Sequence, residues 1–112
     1  MKYFVNEEAR KASGSSFYFE FQKGKQQDKY WLEDSICLYA DLFDKLRLYS
    51  LFSFALGTFD YYGPANVVNE QQWNIIVEKS QENEYWESVI LELEPWVEEC
   101  FTQHRCFTIC GI

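Results

Sequence analysis

The chain has no long apolar run. Its longest, Leu48–Leu56, is interrupted by Ser50 and Ser53 and falls well short of the ~18–20 residues that span a bilayer, so no membrane-spanning helix is expected. Met1–Glu8 is too short and too polar for a secretion signal, which makes a cytoplasmic protein with reduced thiols the expectation. Catalytic signatures are missing too: there is no GxSxG elbow, no HExxH pair and no glycine loop able to cradle a phosphate. Histidine occurs once, at His104, and proline twice, at Pro64 and Pro95. Basic residues are scarce beyond residue 29: residues 30–112 carry four against fourteen acids, whereas residues 1–29 carry six against four. A field of that sign repels phosphate backbones, so direct binding of nucleic acid is not expected.

Aromatic residues and acids fill the space those absences leave. Ten Phe, eight Tyr and four Trp occur in 112 residues, more than a core of this size needs, so some Tyr and Trp should reach the surface, where they favour interfaces. The length fits one domain, residues 1–112, able to bury roughly two-thirds of its unfolded surface. Net charge is −8, and between Asp60 and Glu99 ten acids face one base, Lys79. Such a field suits a basic partner and speeds encounter with one, although solubility alone would also account for it.

Periodicity predicts an α+β fold, a small antiparallel sheet packed with three to four helices. Lys2–Val5 suits a short first strand or an arm, and Glu7–Gly14 runs into the loop signal Ser13–Ser16. Phe17, Phe19 and Phe21 alternate with Tyr18, Glu20 and Gln22, the pattern of a half-buried strand. Asp34 and Ser35 suit the cap of a helix from Ile36 to about Tyr49, with Tyr39, Phe43 and Leu46 inward and Asp41 and Asp44 outward. Leu51–Leu56 fits helix or strand and ends at Gly57. Thr58–Val68 reads as a loop. Asn69 caps a helix carrying Trp73, Ile76 and Val77, and Ser80–Asn83 breaks it. A further helix carries Trp86, Val89, Ile90 and Leu93, and Pro95 starts a new segment running to about Gln103. Cys106–Gly111 reads as the final strand.

Three of the four cysteines and the histidine fall together as Cys100-x3-His104-x-Cys106-x3-Cys110. These are soft ligands of the kind zinc takes, but structural sites use closer pairs, and along a strand Cys106 and Cys110 sit roughly 13 Å apart. Small apolar core thiols are the expectation, with no metal and no cofactor. A Cys–His nucleophile needs an electropositive setting, and this region is acidic. No enzyme activity is expected. The better site candidates are Asp60-Tyr61-Tyr62, presented on a loop ahead of the Gly63-Pro64 stop, with Glu70, Glu84 and Glu87 on the helices that follow. If loop and helices share a face, they form an acidic patch with aromatic anchors. Otherwise the tyrosines pack on Trp73 as a lid, and the glutamates are a solvated ridge with Glu82, Glu92 and Glu94.

The ending Pro95-Trp96-x-Glu98-x-Cys100-Phe101-x-x-His104-x-x-Phe107-Thr108-Ile109-x-Gly111-Ile112 resembles that of small bacterial immunity proteins encoded beside polymorphic or contact-dependent toxins. The likeness covers about the last third of the chain and carries no binding residues with it. It implies a non-catalytic protein that neutralises a cognate toxin domain with a basic surface, such as a nuclease. Asp60, Tyr61, Tyr62, Glu70, Glu84 and Glu87 are then the expected contacts, with Asp41 and Asp44 as the alternative interface. The protein would act as a monomer or weak homodimer, the aromatic strand Phe17–Phe21 being the segment able to pair across copies. A zinc-binding accessory domain and an acidic adaptor with a non-toxin partner are the alternatives.

Overall fold

The alternation of Phe19 and Phe21 with Glu20 and Gln22 sorts the whole sheet into two faces. In the computed structural model, which describes all of residues 1–112, the elements run β1 (Phe4–Asn6), α1 (Glu7–Ser13), β2 (Tyr18–Lys23), β3 (Ile36–Tyr39), α2 (Ala40–Lys45), α3 (Leu48–Leu56), β4 (Asn66–Asn69), α4 (Glu70–Ser80), α5 (Glu84–Phe101) and β5 (Cys106–Cys110). The strands form one antiparallel sheet in the order β1-β3-β2-β5-β4. The expected α+β class holds, with five helices in place of three or four.

One sheet face is apolar. Register puts Leu38 beside Phe4 and Phe19, and Phe21 beside Ile36 and Ile109. These side chains join Phe43, Phe52, Trp73, Ile90 and Leu93 of the helices in one cluster of 21 buried residues. Full burial of each large side chain contributes ~1.5–3 kcal/mol. The other face is small or polar, with Glu20, Gln22, Cys37, Thr108 and Cys110 all buried, and the segment 24–35 covers Glu20, Gln22 and Thr108. β2 is therefore buried on both faces rather than half-buried. It also lies between β3 and β5, so it has no free edge with which to pair across a dimer.

Five further expectations are corrected. Ile36–Tyr39 is a strand, since Ile36, Tyr39, Phe43 and Leu46 match a helical spacing that the pairing with β1 and β2 overrides. The helix that follows ends at Lys45, and Arg47, in a left-handed conformation (φ 56°), separates α2 from α3. Glu7–Ser13 is a helix without a single buried residue, set by local chemistry: Asn6 accepts from the Ala9 N–H, acids open it and Arg10 and Lys11 close it. The end of the loop, Asn66–Asn69, is the edge strand β4. Pro95 does not start a helix but lies inside α5, which ends at Phe101. Pro95 and Leu91, whose carbonyl it leaves without an intrahelical partner, both lie on the solvent side, where water can satisfy that oxygen.

Candidate functional site: a tyrosine platform rimmed by carboxylates

The loop between α3 and β4 is held from three sides. Asn66 accepts from the Asp60 N–H at 2.8 Å and donates to the Asp60 carbonyl at 2.9 Å. The Asp60 carboxylate accepts from the Tyr62 N–H at 3.1 Å, a turn that suits Asp. Beyond β5, Gly111 donates to the Gly63 carbonyl and Ile112 to the Tyr61 carbonyl. A side chain at Gly111 would collide with those two oxygens, so the backbone contact requires glycine there.

Tyr61 joins this loop to the core. Its ring stands edge-on to Phe19 (5.0 Å between centroids) and Phe43 (6.0 Å), and Tyr62 packs against it at 4.9 Å. Neither tyrosine stacks on Trp73, whose ring meets Phe107. The Tyr61 hydroxyl donates to Asp44 Oδ2 of α2 at 3.2 Å. Burial, followed by the Asp44 hydrogen bond and the negative charge of Asp44 and Asp41, pushes the Tyr61 pKa up to about 12. Tyr62 is 77% exposed. Asp41, Asp44 and Asp60 are exposed too, the first two beside Tyr61 and the third beside Tyr62. The result is a rigid aromatic platform with a carboxylate rim, in which the loop and the first helical acids, expected as alternatives, form one surface.

No hydrogen bond or ion pair links the helical glutamates to it. β4 leads away from the loop, and Glu70 follows its far end in a shallow depression with Glu98 and Phe101. Glu84 and Glu87 open α5, which docks on the end of α2 through Trp86 Nε1–H donating to the Leu46 carbonyl at 2.9 Å. The ridge is also broken: Glu82 pairs with Lys79, and Glu92 accepts from the backbone N–H groups of Lys2, Tyr3 and Phe4.

Sequence reasoning passed over Glu20. Its carboxylate, 1% exposed, accepts from the N–H groups of Trp31 (2.8 Å) and Leu32 (2.7 Å), from Ser35 Oγ (2.7 Å) and from Gln22 Nε2 (3.0 Å). Four donors satisfy a buried charge that has no cationic partner, and they fix segment 24–35 over the sheet. Arg10 adds to this by stacking on Trp31 at 3.9 Å.

The cysteine–histidine group is not assembled. Cys100 faces the helix–sheet core and donates to the Cys106 carbonyl. Cys106 and Cys110 lie on the opposite sheet face, and His104 is exposed with its ring over Gly24. No three His, Cys, Asp or Glu side chains gather as a metal site. Burial pushes the thiols of Cys37 and Cys110 up to about 12, with nearby Glu20 adding to both, so neither is a thiolate at neutral pH. No helix is long and apolar enough to cross a membrane.

No protein-family model matches the chain, and neither does any curated protein or solved structure.

Proposed function

We propose that this is a non-catalytic immunity protein that acts in the cytoplasm, captures a cognate toxin domain through a basic surface on it, such as a nuclease cleft, and blocks that surface. The observation that carries the proposal is the platform of Asp41, Asp44, Asp60, Tyr61 and Tyr62. Tyrosine supplies rigid contact area at small entropic cost. A loop tied to β4, to the C-terminal residues and to α2 loses little further freedom on binding. The carboxylates speed capture of a basic partner. Glu70 lies at the other end of β4 and serves as a remote control.

The test expresses the C-terminal domain of the reading frame immediately upstream, with and without this protein, and scores growth and co-purification. Rescue with a stable complex is expected. The triple change Asp41→Lys, Asp44→Lys and Asp60→Lys should slow association ~10–100-fold at low salt and less at high salt, while Glu70→Lys leaves it near the parent value. Toxicity without rescue sinks the immunity proposal. Binding without toxicity favours an acidic adaptor that uses the same platform.

A further inference from the structure

A second surface has the opposite character. Three exposed cations, Lys2, Lys45 and Arg47, line a groove of about 630 Å³ floored by Tyr3, Leu46 and Trp86. That volume lies within the range of ligand sites, ~300–1,000 Å³. In a chain with eighteen acids, no Asp or Glu lines it. The ion pairs of the protein engage Arg10, Lys23 and Lys79, so all three groove cations are without a carboxylate partner. Lys2 Nζ lies 5.3 Å from the centre of the Tyr3 ring, a weak attraction that leaves the ammonium in water.

The sequence places a large cation where the backbone disfavours one. Arg47 sits at φ 56° and ψ 40°, a conformation that glycine or asparagine adopts at less cost. The groove floor, in contrast, is fixed. The Trp86 indole N–H is bound to the Leu46 carbonyl, the Tyr3 hydroxyl donates to Ser88 Oγ at 3.1 Å, and Glu92 holds the Lys2–Phe4 backbone.

We infer that this groove binds an extended acidic segment of a partner protein, with carboxylates on Lys2, Lys45 and Arg47 and an apolar side chain on the Tyr3–Trp86 floor. A compact phosphate ligand fits less well. Such sites converge backbone N–H groups on the anion, and at the start of α5 the Tyr85 and Trp86 N–H groups are already taken by Asn83 Oδ1. Separated cations on long side chains above an apolar floor match charges spaced along a peptide. The inference rests on the groove alone and stands apart from the toxin proposal.

The test measures fluorescence anisotropy of a labelled hexapeptide of four acidic residues with one phenylalanine and one leucine, against the same peptide with lysines for the acids. The acidic peptide should bind at low salt with a dissociation constant of ~10–300 μM, and the basic peptide should not. Lys45→Glu with Arg47→Glu, both at exposed positions, should weaken binding at least tenfold without changing the melting transition by more than a few degrees. Amide shifts on titration should centre on Lys2, Tyr3, Lys45, Arg47 and Trp86. No binding, equal binding by the charge-reversed variant, or shifts centred elsewhere would overturn the inference. Displacement of the peptide by inorganic phosphate or ATP at lower concentration would overturn it as well, in favour of a small-anion site.

Discussion

The two flanks of α2 carry opposite charge although the helix is only six residues long. Asp41 and Asp44, three apart, face the tyrosine loop, whereas Leu42, Lys45 and the following Leu46 border the basic groove. Ala40 and Phe43 point between them into the core. Net charge describes neither flank. A chain of charge −8 presents a local acid-free groove because 3.6 residues per turn distributes neighbours in sequence to different surfaces. What a partner meets is the flank, not the sum.

The largest expected effect removes the anchor both flanks share. Phe43 stacks on Phe19 at 4.1 Å and lies near Phe59 and Phe52 at 5.5 and 6.1 Å. Phe43→Ala should cost ~3–5 kcal/mol in urea unfolding and loosen platform and groove together. A loss under ~1 kcal/mol would show that α2 is held by something other than this stack.

A smaller change touches the acid flank alone. Tyr61→Phe removes the hydroxyl bond to Asp44 and should cost ~0.5–1.5 kcal/mol, leaving peptide binding in the groove intact. It also changes the alkaline limb. The fold raises the Tyr61 pKa from 10.0 to about 12, so the protonated hydroxyl stabilises the fold fully below pH 10, and that contribution fades as pH climbs through 12. Ultraviolet titration should show Tyr61 ionising late, and the variant should lack that step. Loss of stability from the buried thiols of Cys37 and Cys110, raised from 9.0 to about 12, has the same sign and remains in the variant.

The smallest effect concerns the basic flank and is a gain. Arg47→Gly relieves the left-handed strain at φ 56° and should stabilise by about 0.5–1 kcal/mol, raising the melting temperature a few degrees. The same change should weaken binding of the acidic peptide. A variant with lower stability would mean that Arg47 makes favourable contacts that outweigh its backbone cost.

Local signals carried much of the fold. Asn69 closes a capping box with Gln72, and Asn83 accepts from two N–H groups of α5. The Trp86, Val89, Ile90 and Leu93 spacing is that of a helix packed on a sheet, with the last three fully buried and Trp86 partly so. β2 and β5 follow from strand-forming residues, and they pair. The misses have physical causes. β3 carries a helical spacing by coincidence, and only its two neighbours make it a strand. α1 buries nothing, so its apolar periodicity is nil, and its caps were the one usable signal. The polarity of Glu20 and Gln22 marks an exposed face in most strands. Here a segment eleven to fifteen residues later folds over them and supplies the donors.

The site divides in the same way. Sequence picked out Asp60, Tyr61 and Tyr62 because a turn ahead of Gly63-Pro64 presents them, a local property. It grouped them with Glu84 and Glu87 by nearness along the chain, whereas in the fold the Tyr61 hydroxyl donates its hydrogen bond to Asp44. By itself the sequence determined the α+β class, the Asn69 cap, the acidic and aromatic surplus and the turn that presents Asp60, Tyr61 and Tyr62. Tertiary structure alone decided which charges meet. Sheet order and helix docking bring residues 17 to 90 positions apart into contact, and no periodicity along the chain encodes those distances.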